Sequence, residues 1–313
     1  MKLGIVMDPI SGIKVNKDSS FAMLLEAQAR AYEIYYMEPL AVKIINGKVL
    51  ANAAKLKVQD RIDSWYEFIE QTQVSLASMD VILIRNDPPF ASNYLYLTQM
   101  LELVEKAGVL IVNRPQAIRD FNEKLAVNIF PELAPPACVS SKIADFKEFL
   151  KTQQKIVVKP LDAMGGRSIF VIDEHDVNTN VILETITENE TKLVMAQKFL
   201  PEIKNGDKRI LLIDGKPVPY SLARIPGKGD FRGNLARGAR AVGEKLNKKE
   251  YAICEELAQF LRANGLLFVG IDIIGDYLTE INVTSPTGIR ELDKIFQLNI
   301  AGTFFDSIEA KLS

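Results

Sequence analysis

The sequence holds a single histidine, His175, among 313 residues, and that scarcity removes whole classes of chemistry. A Ser-His-Asp relay or a histidine-bound zinc needs imidazoles placed in the site. His175 instead falls in the polar turn DEHDVN, where solvent exposure is expected. The two cysteines, Cys138 and Cys254, show neither a disulfide framework nor zinc spacing, so both are expected to be reduced and structural. No GxGxxG follows a strand to hold a nicotinamide cofactor, and no GK[ST] ending completes a Walker A loop. No apolar run approaches the roughly 20 residues that cross a bilayer. Met1 is followed at once by the strand-like LGIVMD, so neither a signal peptide nor a membrane span is expected, and the location expected is cytoplasmic. Charge of one sign is not in excess either: 38 basic residues face 40 acidic ones, for a net charge of −2. That balance gives no global field favouring nucleic acid or a membrane surface and leaves small-molecule binding open.

What is present is apolar residues, 48% of the chain, enough for a large core divided into two or three domains. KLGIVMD reads as a strand, DSSFAMLLEAQARA as a helix capped by Asp18 or Ser19, and EIYYME as a strand. MDVILIRNDPPF repeats the arrangement with a buried strand ending at Arg85, Asn86 and Asp87. The helix NYLYLTQMLELVEKAG and strand VLIVN follow. This βαβ pattern predicts a parallel sheet whose ligands gather at the carboxyl ends of its strands. Within residues 41–75, VKIINGKVLA looks like a hairpin and SWYEFIEQ like a helix. A first unit is placed at 1–121. A second, 122–200, opens with the helical-looking NEKLAVNIF, carrying Lys124 near its start, and reaches the strand KIVVKP, which ends at Lys159 and the loop LDAMGGRSIF. Gly165 and Gly166 there allow backbone N–H groups to surround phosphate oxygens, although a glycine pair between strands is also an ordinary turn. The third unit, 201–313, opens with strands around an Asp214-Gly215 turn.

The stretch FVGIDIIGDYLTEINVTSP carries the densest chemistry. Apolar residues alternate at Leu267, Val269, Ile271 and Ile273, and again at Ile281 and Val283, as in strands with one face on a core. The other face then carries Asp272, Glu280 and Asn282, whose oxygen-only donors suit Mg²⁺ or Mn²⁺. Parity matters here. A two-residue Gly275-Asp276 turn would place Asp272 on the wrong side, so a three-residue loop from Gly275 to Tyr277 is expected to pair Asp272 with Glu280. The alternative is a solvated face of an ordinary hairpin. Farther upstream, IPGKGDFRGNLARGA holds four glycines and three basic residues, Arg232 among them, and reads as a mobile lid or as a linker.

In order and at suitable separations, LGIVMDP, KDSSFAML, RDFNEKL, VVKPLDAMGG, NGDKRILLIDG, VPYSLARIP, RGNLARG and VGIDIIGDYLTEINVTSPTGIRE resemble the ATP-grasp ligases, and within them the prokaryotic glutathione synthetases. The resemblance covers nearly the whole chain. It implies an α/β (α+β) ATP-grasp fold with a Rossmann-like parallel-sheet N-terminal domain, a small central lid domain and an antiparallel-sheet C-terminal domain. It implies that Lys124, Lys159, Met164, Gly165, Gly166 and Asp207 bind ATP, with Gln197, Lys198, Phe199 and Leu200 as a hinge bordering the adenine. It further implies that Arg209, Arg224 and Arg232 act in catalysis, Arg209 on the tetrahedral oxyanion. The implied reaction joins γ-glutamylcysteine to glycine through an acyl phosphate, in a homotetramer. Ser19, Arg85, Ser285 and Arg290 are candidates for the peptide substrate, although Ser19 and Ser20 also read as helix caps and Arg290 as holding a helix end. Two other readings are a different ATP-grasp carboxylate-amine ligase, joining D-alanine units or extending a peptide end, and a non-catalytic ATP-binding module.

Overall fold

The computed structural model describes residues 1–162, 164–227, 229, 233 and 238–313. Arg232, with most of the glycine-rich stretch around it, lies outside the described residues. Three sheets organise the rest.

The first sheet has seven strands, β1 (Lys2–Val6), β2 (Glu33–Met37), β3 (Val42–Ile45), β4 (Lys48–Val58), β5 (Tyr66–Ser75), β6 (Val81–Ile84) and β7 (Leu110–Val112), with helices α1 (Ser19–Ala29), α2 (Ser92–Lys106) and α3 (Pro115–Asp120). Strands β2, β1, β6 and β7 are parallel neighbours in that order. β1 and β6 are buried almost throughout because helices cover both faces, which is why KLGIV and VILI are unbroken apolar runs. Leu3 and Ile5 pack with Phe21 and Leu24 of α1, while Val6, Ile82 and Ile84 pack with Leu97 and Leu101 of α2. SWYEFIEQ is not a helix: it feeds β5, which pairs antiparallel with β4 from Tyr66 to Ser75. Tyr66, Phe68, Ile69, Thr72 and Val74 favour a pleated surface. The Phe68 ring stacks on Tyr36 at 5.5 Å.

The second sheet is small and antiparallel, ordered β10 (Phe170–Asp173), β9 (Lys155–Pro160), β11 (Val194–Lys198), β8 (Ala137–Ser140), with α4 (Ile143–Gln153) and α5 (Thr179–Ile186) packed on it through Phe146, Leu150 and Leu183. The segment before it, NEKLAVNIF, forms a short 3₁₀ turn at Ala126–Ile129 instead of an α-helix. Asn122 draws the N–H groups of Lys124 and Leu125 onto its own side chain, a local turn that competes with helical bonding.

The third sheet runs antiparallel in the order β14 (Arg240–Lys245), β13 (Lys216–Ile225), β12 (Asp207–Ile213), β15 (Phe268–Ile274), β16 (Tyr277–Asn282). Helix α6 (Lys248–Ala263) begins at a capping box in which Asn247 and Glu250 satisfy each other's backbone. Its Ile253, Leu257 and Leu261 pack against Ile271 and Ile281. After α7 (Ile289–Phe296), α8 (Ile300–Leu312) places Phe304, Phe305 and Ile308 in a core that joins Leu211 and Phe268 to Leu3 and Phe21. First and third sheets thus share apolar packing. No helix among the described residues is long and apolar enough to cross a membrane.

Candidate active site

The β15–β16 hairpin pairs Asp272 directly with Glu280 and Gly270 with Asn282. The connection is not the expected three-residue loop. Ile274 pairs with Tyr277 across a two-residue Gly275-Asp276 turn, with Gly275 at φ +60°. Parity is restored by a bulge: the register shifts between Asp272 and Ile273, leaving Thr279 as the extra residue on β16. The Thr279 hydroxyl closes it with a 3.1 Å bond to the Asp272 carbonyl. One inserted residue therefore brings Glu280 round to face Asp272 while Leu278 stays in the core.

Among the described residues, four cations converge on these carboxylates. Arg209, paired with Asp272 across β12 and β15, forks onto it with Nε at 2.5 Å and Nη2 at 2.8 Å. Gly270 makes room for that crossing, since a Cβ there would stand 2.9 Å from Arg209 Cδ. Arg224 Nη2 lies 3.0 Å from Asp272 and 2.6 Å from Asp207. Lys124 and Lys159 each place Nζ 3.6 Å from Glu280 Oε1. Burial opposes ionisation of Asp272, but Arg209 and Arg224 outweigh it and hold the carboxyl well below its usual range. Glu280 is likewise held down, against its burial, by Lys124 and Lys159. Burial pushes the Lys159 ammonium below its usual range and raises Asp207 to about 6 in spite of Arg224.

These groups line a cavity of about 390 Å³. Val157, Ile169, Phe199, Leu200 and Ile203 give it an apolar part, and Gln197 presents a buried Nε2 without a partner among the described residues. The Lys155 ammonium sits 4.7 Å from the Phe199 ring centroid, and Lys198 also lines the cavity. Met164, Gly165 and Gly166 form the wall after β9, with both glycines left-handed at φ +67° and +69°. Asp207 Oδ1 is buried without a partner among the described residues, an acceptor suited to a group entering the cavity. Asp87, Ser285, Pro286 and Thr287 line it as well. Such a lining suits a ligand that has apolar, anionic and polar parts.

The other sequence candidates lie elsewhere. Ser19 does cap a helix, but not its own: Asp18 caps α1, while Ser19 Oγ accepts from Gly288 and Ile289 at the start of α7. Arg85 does not line the cavity; it donates to Ser20 Oγ and to the carbonyl of the lining residue Pro286, each at 2.9 Å. Arg290 turns away to Asp60. Sequence reasoning passed over Glu123, which lines the cavity and accepts three hydrogen bonds from Val283 and Thr284. Its only sequence signal is adjacency to Lys124.

Among the described residues no three His, Cys, Asp or Glu side chains stand together as a metal cluster. The set that could hold a cation is mixed: Asp272, Glu280 and the Asn282 amide, whose Nδ2 is engaged by Gly270 O and Asp272 Oδ2. Two carboxylates and an amide oxygen fit a Mg²⁺ that keeps water and phosphate ligands.

Two family models match the chain: the N-terminal domain of prokaryotic glutathione synthetase over residues 1–119, and its ATP-grasp domain over residues 123–297. The glutathione synthetase of Coxiella burnetii is 52% identical over 311 residues, covering 99% of this chain and 97% of that one. That of Escherichia coli K12 is 51% identical over 312 residues, covering 100% and 99%. Solved structures that share the fold include D-cycloserine synthetase DcsG, with TM-score 0.70 and 14% identity over all of both chains. The ATP-grasp ligase PsnB, complexed with a minimal-precursor variant, Mg and ADP, aligns at TM-score 0.66 with 16% identity, covering 99% of this chain and 98% of that one. The chain belongs to the prokaryotic glutathione synthetase family and has its ATP-grasp ligase fold.

Proposed function

We propose that the chain is an ATP-dependent carbon–nitrogen ligase that joins γ-L-glutamyl-L-cysteine to glycine, yielding glutathione, ADP and phosphate. The observation that carries the reading in this structure is the convergence of Lys124, Lys159, Arg209 and Arg224 on Asp207, Asp272 and Glu280 in one cavity. A carboxylate must be activated before an amine attacks it, and phosphoryl transfer asks a protein for positioning and charge neutralisation.

In this reading the hinge Gln197–Leu200 borders the adenine, and Met164, Gly165, Gly166, Lys124, Lys159 and Asp207 hold the phosphates. The cysteinyl carboxylate attacks the γ-phosphorus and the bond to ADP breaks. Glycine then adds to the acyl carbon, loses a proton, and inorganic phosphate leaves. Arg209 supports the tetrahedral oxyanion, and Arg224 the transferred phosphoryl oxygens. Asp272, Glu280 and Asn282 would hold Mg²⁺ or Mn²⁺, which supplies Lewis-acid neutralisation of the phosphates. Ser285, in the cavity lining, meets the peptide substrate, and Arg85 supports that lining through the Pro286 carbonyl.

The working units are 1–121 for substrate, 122–200 as the cover and 201–313 for catalysis, in a cytoplasmic homotetramer. Ten residues of β5 leave one edge unpaired, which supports assembly with further copies. Phosphate release with defined substrate pairs tests the activity. γ-Glutamylcysteine with glycine should stimulate it strongly; stimulation by a D-alanine pair alone would move the assignment to a different ligase.

A further inference from the structure

Strand β16 forms one edge of its sheet, and the segment ahead of β8 hydrogen-bonds along it. Leu278 N–H donates to Leu133 O at 2.8 Å and Ile281 N–H to Glu123 O at 2.9 Å. Beyond the strand, Glu123 Oε1 accepts from Val283 N at 2.9 Å, Thr284 N at 3.0 Å and Thr284 Oγ1 at 2.8 Å. From the opposite side, Asn113 Nδ2 donates to Val283 O at 2.7 Å. Both backbone groups of Val283 are therefore held by side chains that precede it by 170 and 160 residues. Val283 directly follows Asn282, and Glu123 directly precedes Lys124, whose ammonium meets Glu280.

We propose that Glu123 is a positioning residue for the cation and nucleotide site. Its single acceptor oxygen fixes the end of β16, so that Glu280 and Asn282 keep their spacing from Lys124. The role requires an acceptor at Oε1 and not a negative charge, because all three partners are neutral donors. The inference rests on the reading of Glu280 and Asn282 as cation ligands. Outer groups that orient ligands in this way commonly matter nearly as much as the ligands.

The test is Mn²⁺ binding to the full chain with ADP present, followed by the loss of the free-ion EPR signal, so that no turnover is needed. Glu123→Ala should weaken Mn²⁺ binding by roughly 10- to 100-fold. Glu123→Gln, which keeps the acceptor oxygen, should restore most of it, and Thr284→Val, which removes one donor, should fall between. Val104→Ala, a cavity in the remote α2 core chosen to lower the melting temperature comparably, should leave Mn²⁺ binding unchanged. Wild-type affinity in Glu123→Ala, or equal loss in Glu123→Gln and Glu123→Ala, overturns the proposal. If Glu123→Ala does not fold, Thr284→Val decides, and binding equal to Val104→Ala overturns it. Failure of the wild type to bind Mn²⁺ with ADP removes the cation reading itself and this proposal with it.

Discussion

Replacing Arg209 with alanine separates catalysis from stability. Arg209 is buried, crosses over Gly270, and gives two charge-assisted bonds to Asp272. Truncation does not strand that carboxylate, because Arg224 Nη2 remains at 3.0 Å and Asn282 Nδ2 at 3.3 Å. Breaking a buried pair costs about 3–5 kcal/mol when the remaining charge is uncompensated, so with Arg224 in place the loss should lie at or below about 3 kcal/mol. A domain with about 5–15 kcal/mol of stability stays folded after such a loss. The catalytic loss should be larger in its consequence. One oxyanion donor is worth about 3–4 kcal/mol of barrier, or roughly 10²–10³ in kcat. Coupled ADP release with γ-glutamylcysteine and glycine measures kcat, and a thermal melt on the same preparation confirms that the variant is folded. Arg209→Lys, which keeps charge but loses the planar fork, should fall between. A folded Arg209→Ala enzyme with kcat within a few-fold of wild type would refute the argument.

Three further outcomes follow from the geometry. Lys159→Met keeps the side chain's bulk but leaves Glu280 with Lys124 as its one ion-pair partner among the described residues; losing a bond to a charged phosphate costs about 1.5–3 kcal/mol, or roughly 10- to 150-fold in ATP affinity, measurable by nucleotide titration. Thr279→Val removes the bond that closes the bulge and should cost about 1 kcal/mol in denaturant unfolding, whereas a gain would mean that the hydroxyl is dispensable. Asp293, remote from the cavity, is raised to about 6 by burial although it accepts from Ile300 N–H. An acid raised on folding contributes stability that is full below its unfolded value of 3.8 and is lost as pH rises through about 6. Asp293→Asn should therefore melt increasingly above wild type as pH rises across that window, with no further divergence beyond it.

The parity of the hairpin was legible because side chains alternate with period two, so any route to a shared face for Asp272 and Glu280 needed one extra residue. Where that residue sits was not legible. A loop and a bulge satisfy the same parity, and Thr279 carries no sequence mark that distinguishes it from a neighbour in a regular strand. The parallel strands β1 and β6 were plain as buried apolar runs, whereas β5 is mostly exposed and its mix of Glu, Gln and aromatics fits either period. Ser19 shows the limit of local reasoning. Its position beside a helix start suggests a cap, but the donors it meets belong to Gly288 and Ile289, some 270 residues away. Glu123 was missed for the same reason, since its partners are set by tertiary packing. Closeness to the hairpin in sequence points Arg290 toward substrate, whereas in the structure it pairs with Asp60 and is not among the residues lining the cavity.

The central claim is that a carboxylate oxygen is carried into phosphate during ligation. γ-Glutamylcysteine labelled with ¹⁸O in its cysteinyl carboxylate, incubated with ATP, glycine and enzyme, tests it by mass spectrometry of the products. One labelled oxygen should appear in the released phosphate and the other in the new amide of glutathione. Unlabelled phosphate accompanying glutathione formation would contradict the acyl-phosphate route.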